Sequence, residues 1–268
     1  MYNTPNTEIN EYNKILNFLE KKLREKDFEK GFKKALEIDS KYYGKLLSIE
    51  EIKNIILDYK ALSEVQNTYK NLQVILPGNP EIVLKMCLEA IRYKANMLIC
   101  IEDFCLAQNT YLINVFQEVL EKLKIKNKIR LKNLIKDTEI IDNSKIIDKT
   151  ICIGNTNLFN RLDGKIDNFI LYPYGRIEVY ADTDDFKDLE KTIFDYSILN
   201  EFEIEMYDEL DLEEGVDAIN RDGYGFCTLL LSKDKEKQKY FKDNINKNYK
   251  YIILNENPFK VMKFKLEI

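Results

Sequence analysis

Three short segments of this chain could place binding or reacting groups at the ends of secondary-structure elements. Pro77-Gly78-Asn79-Pro80 follows an apolar run and precedes a helical pattern. An open α/β sheet presents its ligands there, at the carboxyl end of a strand. The side-chain amide of Asn79 could donate to a developing oxyanion. Its competing role is local: Asn79 caps the helix and Pro80 takes the first helical position, which local rules favour. Ile153-Gly154-Asn155-Thr156 repeats the strand-to-helix step. Amides at a helix start can hold phosphate, so Gly154, Asn155 and Thr156 are the candidate cofactor-binding residues. The chain lacks GxGxxG and GxxxxGK[ST], the stronger nucleotide signatures. Asn220-Arg221-Asp222-Gly223-Tyr224-Gly225 joins a helix to a strand, and its glycines permit positive φ at a helix end. A C-cap turn is the favoured reading.

Nucleophiles and bases are scarce. The chain has no histidine. That removes Ser–His and Cys–His dyads, imidazole bases and histidine metal sites together. Cys100, Cys152 and Cys227 fall in apolar strand-like runs and Cys87 in a helical pattern. Cys105 follows Glu102 and Asp103 in a loop, where neighbouring carboxylates raise rather than lower a thiol pKa. Asp182-Thr183-Asp184-Asp185 could bind a hard cation, but Asp182 or Thr183 as a helix cap is favoured. No metal site is expected.

The elements that position these groups follow from periodicity. Up to about residue 70 the pattern is helical: Tyr12, Ile15, Leu16, Leu19 and Leu23, then Phe28, Phe32, Ala35 and Leu36. Ser48-Ile49-Glu50-Glu51 has the form of a capping box, opening a helix that buries Ile49, Ile52, Ile55, Ile56 and Tyr59. From residue 71, short apolar runs alternate with amphipathic helices. Strands are predicted at 72–76, 96–101, 150–154, 177–181, 202–207, 226–231 and 251–255. Helices are predicted at 80–93, 110–123, 184–198, 212–220 and 233–244. That alternation implies an α/β protein with a Rossmann-like, mostly parallel sheet flanked by helices. The closing Met262 to Ile268 alternates apolar with charged residues, as in a strand with one wet face.

The 268 residues suffice for one large or two small domains, with 45% hydrophobic and 32% charged residues and a net charge of −5. The negative balance argues against a general nucleic-acid partner. No apolar run suits a membrane span, and the first residues are neither basic nor apolar, so no signal peptide is expected. Five cysteines, an odd number in apolar runs, fit a reducing compartment, and a cytoplasmic location is expected.

The order of the segments resembles the aldehyde dehydrogenase superfamily. VILPGNPEIVLKMCLEAIRYKANMLICIED is similar to the entry of its nucleotide domain, and KTICIGNTNLF to its later phosphate turn. LYPYGRIEVYADTDDFKDLEKTIF resembles its Glu-Leu-Gly-Gly-Lys strand and the helix after it. LEEGVDAINRDGYGFCTLLL resembles its late helix–turn–strand, and MKFKLEI its terminal oligomerisation strand. The resemblance assigns Asn79 to the family's oxyanion asparagine and Gly154 to its phosphate turn. It also implies losses. The general-base glutamate falls on Tyr172, and the segment carrying the catalytic cysteine is missing. The ribose-binding Lys-Pro-Ser-Glu aligns with Ile101-Glu102-Asp103-Phe104, and a phosphate-turn glycine becomes Phe159. The implied protein is truncated and catalytically inactive, acting by binding or oligomerisation. The alternative is a reduced NAD(P)-dependent aldehyde or acyl oxidoreductase. No cofactor is expected, with NAD or NADP the candidates if one binds. The expected partners are further copies of the chain or a full-length relative. The implied organisation is a helical segment to residue 70, a nucleotide-binding-like α/β domain over 71–200, a catalytic-domain remnant over 201–258 and the terminal strand over 259–268.

Overall fold

The computed structural model describes residues 11–41, 46–65, 68–101, 105–133, 136–182, 184–200, 203–246 and 249–262. Three helices come first: α1 (Glu11–Leu23), α2 (Lys26–Asp39) and α3 (Ile49–Lys60). Their apolar stripes bury Tyr12, Leu16 and Leu19, Phe28 and Phe32, and Ile52 and Ile56. The capping box forms in both halves: Ser48 Oγ accepts from Glu51 N at 3.2 Å, and Ser48 N donates to the Glu51 carboxylate at 2.8 Å.

The α/β elements follow in the order β1 (Asn71–Leu76), α4 (Pro80–Arg92), β2 (Asn96–Ile101), α5 (Leu106–Lys122), β3 (Ile129–Asn133), α6 (Asp137–Ser144), β4 (Lys149–Ile153), α7 (Thr156–Leu162), β5 (Phe169–Tyr172) and β6 (Ile177–Ala181). A short 3-10 turn (Asp184–Phe186) leads to α8 (Lys187–Asn200), β7 (Ile204–Met206), α9 (Leu212–Asp222), β8 (Cys227–Leu231), α10 (Lys235–Asn244), β9 (Tyr251–Leu254) and α11 (Pro258–Val261). Two sheets result, ordered β3-β2-β1-β4-β5 and β7-β6-β8-β9. The pairs β1–β2, β2–β3, β6–β7, β6–β8 and β8–β9 are all parallel, as expected for helix-connected strands. The expected α/β class with parallel sheets is therefore found. No helix among the described residues is long and apolar enough to cross a membrane. The expected terminal strand, beyond Met262, lies outside the described residues.

Contacts divide the chain into two compact units. Unit 1 comprises Met1–Ile151 with Gly164–Phe169, and unit 2 comprises Cys152–Asp163 with Ile170–Glu267. In unit 1 a buried polar network ties helices together. Tyr59 Oη donates to Glu89 at 2.9 Å, Arg92 pairs with Glu89 at 2.8 Å, and Tyr12 Oη donates to the Tyr59 carbonyl at 2.8 Å. Glu89 is 1% exposed, and the Tyr59 hydroxyl and the Arg92 guanidinium that donate to it offset the cost of burying its charge.

In unit 2, strand alternation sorts side chains between two cores. Ile177, Val179, Leu229, Leu231 and Ile253 cluster on one face. Tyr180 and Leu230 point to the other, against Val216 and Ile219 of α9 and Phe241 of α10. Glu178 shares that second parity, and this places a carboxylate where a core residue would stand.

Candidate functional site

Within unit 1, β1 ends at Leu76 and the Pro77–Pro80 turn opens α4. Asn79 is extended (φ −62°, ψ 118°) and its side-chain carbonyl accepts from Glu81 N at 2.9 Å and Ile82 N at 3.4 Å. Pro80 takes the first helical position, where its missing N–H costs nothing. The residue is 5% exposed. Asn109 Nδ2 ties the turn down by donating to the Gly78 carbonyl at 2.6 Å.

Residues distant in sequence shape the start of α5. Asp39, at the end of α2, accepts from Ala107 N at 3.2 Å and Gln108 N at 2.8 Å. Gln108 Nε2 donates to the Leu47 carbonyl at 2.9 Å. A buried carboxylate thus serves the orphan amides and the positive end of a 17-residue helix. Burial pushes the Asp39 carboxyl above its ordinary value, and the two amides act against that rise. No sequence rule finds this contact, because the partners are separated by 68 and 69 positions. Asp39→Ala is expected to lower unit 1 stability by about 1–2 kcal/mol, with Asp39→Asn losing less. Urea unfolding of both variants checks this.

Cys105 precedes α5. It is a wholly buried N-cap of α5 in the left-handed region (φ 48°), not an open loop thiol. Glu102, Asp103 and Phe104, the residues aligned with the ribose-binding motif, lie outside the described residues. The other four cysteines are also buried. Burial pushes the Cys100 and Cys152 thiols up to about 12, and raises Cys87 and Cys227 as well. Thiols so shifted carry negligible thiolate near neutral pH.

In unit 2, Gly154 turns the chain with φ 75° and Asn155 caps α7, its Oδ1 accepting from Leu158 N at 2.8 Å. Thr156, 3% exposed, follows. Its backbone amide donates to Glu203 Oε1 at 3.2 Å and its hydroxyl to Glu203 Oε2 at 2.5 Å. The chain's own carboxylate therefore lies on the groups expected to hold phosphate. Phe159 follows one position after Leu158 in α7 and is half-buried.

Glu203 belongs to a larger charged cluster that sequence reading missed. Arg176 reaches Glu203 at 3.0 Å and Glu178 at 3.1 Å, and also pairs with Glu205. Its guanidinium lies 4.7 Å from the Tyr224 ring centre. Glu178 is fully buried and also accepts from Tyr224 N at 3.3 Å. Its second oxygen makes no hydrogen bond, nor does the buried Tyr207 hydroxyl. Burial raises the Glu178 carboxyl against the pull of Arg176 and the Tyr224 amide, and takes the Tyr207 hydroxyl to about 12. One cation facing three carboxylates leaves a negative surplus that disfavours an anionic ligand. The sequence signal was the alternation Arg176, Glu178 beside Glu203, Glu205, which parallel pairing of β6 with β7 brings together.

Tyr172, which the sequence resemblance sets against the family's glutamate, ends β5 half-buried. Its ring stacks with Tyr174 at 6.3 Å and meets Phe226 edge-on at 5.8 Å. The expected cap was Asp182 or Thr183. Asp182 accepts from the Ser232 hydroxyl and pairs with Lys237 at 3.0 Å, while Thr183 lies outside the described residues. Among the described residues no group of three or more His, Cys, Asp or Glu is arranged to hold a metal ion.

No protein-family model matches this sequence, and no curated protein matches it. Solved structures do. Gamma-glutamyl phosphate reductase from Thermotoga maritima superposes with a TM-score of 0.59 at 11% identity, covering 93% of this chain and 84% of that one. An NAD-dependent benzaldehyde dehydrogenase from Corynebacterium glutamicum gives 0.54 at 12% identity, covering 90% and 79%. Both are aldehyde dehydrogenase family members, so the resemblance drawn from segment order recurs in three dimensions. This chain has the aldehyde dehydrogenase fold.

Proposed function

We propose that this chain is a non-catalytic protein of aldehyde dehydrogenase fold that acts through association. The observation carrying this reading is the Glu203 carboxylate on the Thr156 amide and hydroxyl. A dinucleotide phosphate would have to displace an internal anion held in addition by Arg176. Asp39 offers the start of α5 the same internal service. The residues present thus do not fit NAD or NADP, and no reaction step is derived through either. Buried thiols and an aromatic residue at the base position point the same way.

Association is supported by the alternation Met262 to Ile268, the pattern of a strand that pairs with another sheet. The partner is a second copy or a full-length relative, in the cytoplasm. Incubation of the purified chain with a broad aldehyde panel and NAD or NADP is expected to yield no reduced dinucleotide. Millimolar dinucleotide is expected to leave the melting temperature unchanged. Formation of NADH or NADPH would overturn the proposal in favour of a reduced oxidoreductase. A strictly monomeric chain by sedimentation equilibrium would remove self-association and leave only the heterologous partner.

A further inference from the structure

Unit 1 holds a cavity at the end of its strands opposite the Asn79 turn. The starts of β1 and β2, the length of β3 and the end of α6 enclose about 400 Å³. Parallel register explains its chemistry. Gln73, Leu98 and Arg130 are aligned across three strands, as are Ile75, Cys100 and Lys132. Registered residues of a parallel sheet point to one face, so β3 turns Lys128, Arg130 and Lys132 toward the same side. All three line the cavity.

Among the described residues, two of these cations have no acid partner. Lys132 meets Glu139 at 3.4 Å, whereas no carboxylate pairs with Lys128 or Arg130 among the described residues. The floor and rim are apolar, with Leu98 on β2 and Ile146 and Ile147 after α6. Ile146 is 79% exposed, an unusual setting for a large aliphatic side chain. Buried amides add a third feature. Asn143 Nδ2, in the cavity wall, makes no hydrogen bond among the described residues. On β1, in register with Leu98, wholly buried Gln73 has the Cys100 thiol as a weak neighbour and no hydrogen bond of ordinary geometry among the described residues. Buried amide groups are nearly always paired, so an unpaired donor in the wall of a basic cavity points to an acceptor from outside the chain.

We infer that this cavity binds a small organic anion, with an apolar body against Leu98, Ile146 and Ile147 and an acidic head, carboxylate or phosphate, held by Lys128, Arg130 and the Asn143 amide. Its volume suits such a ligand, since small-molecule sites are mostly apolar with a few placed polar groups. The inference does not depend on whether the chain is catalytic. The competing role for the cations is protective: lysine and arginine on an edge strand deter pairing with other sheets.

Calorimetric titration of the full chain separates the two. Octanoate and octyl phosphate are the probes, with octanol and inorganic phosphate as their separate halves. One amphiphilic anion is expected to saturate a single site, and whichever binds tighter identifies the head group. Each half alone should bind at least about tenfold more weakly, because either the charged contacts or the apolar burial is lost. Arg130→Glu, at an exposed position, is expected to weaken binding about tenfold or more without moving the melting temperature. Asn143→Asp should weaken it too, by placing a carboxylate against the head group. Failure of both amphiphiles to saturate a site overturns the inference. So does saturable binding that both variants leave unchanged.

Discussion

Gly223→Ala is expected to destabilise unit 2 by about 3 kcal/mol or more. Gly223 is the C-cap of α9, with φ −75° and ψ 157°, values open to any residue. Conformational freedom is not what requires glycine there. A Cβ would lie 1.6 Å from the Tyr249 hydroxyl and 2.5 Å from the Ile219 carbonyl oxygen. The first contact could be relieved only by moving a buried tyrosine whose hydroxyl donates to that same carbonyl at 3.0 Å. The second is with backbone and cannot be relieved by a rotamer change. Gly223→Ala with Tyr249→Phe should therefore recover only part of the loss. Thermal unfolding of the two single variants and the double variant checks this. An alanine variant as stable as the parent would mean that the α9–β8 turn is seated differently.

The second large effect belongs to Arg176. Arg176→Leu is expected to cost about 3 kcal/mol near neutral pH, because it leaves buried Glu178 without its cation. The pH dependence gives the cause. Burial already raises the folded-state pKa of Glu178. The folded state then binds a proton at higher pH than the unfolded state does. Stability from this group is present at low pH and falls as pH rises from the unfolded value through the folded one. Removing Arg176 takes away a charge that lowers that pKa, so the window extends upward. Acidification from neutral pH should restore stability to Arg176→Leu more than to the parent. Arg176→Leu with Glu178→Gln should lose most of that pH response. A flat difference between parent and variant across the range would assign the cost to lost packing over Tyr224 instead.

These two sites also mark where sequence reading succeeds and fails. Periodicity found the helices whose stripes are complete, such as Tyr12 to Leu23, and the strands buried on both faces, such as β2 at 96–101 and β6 at 177–181. It missed β3 and β5. Ile129–Asn133 is an edge strand whose alternate positions are cationic, and Phe169–Tyr172 is too short for a pattern. Boundaries moved where a cap comes from elsewhere. The expected start of α5 at residue 110 becomes Leu106, because Asp39 supports an earlier turn. The strand-to-helix turns at Asn79 and Gly154 were legible, since capping is local chemistry. The Arg176 cluster was not, because its members meet only through the pairing of β6 with β7. For the glycines of the α9–β8 turn, positive φ was expected at the helix end. Gly225 has it, at 70°, whereas Gly223 is required by space.

The division of the chain has a further meaning for biosynthesis. Unit 1 takes in Gly164–Phe169 after the chain has already supplied Cys152–Asp163 to unit 2. As the polypeptide leaves the ribosome, unit 1 cannot be completed before residue 169 emerges, and by then a piece of unit 2 has been released without the strands it belongs with. Parallel strands compound the delay, since each pairing must await its whole crossover. The Thr156 amide and hydroxyl find Glu203 only 47 residues later in synthesis. During that interval the nascent α7 segment has no internal carboxylate.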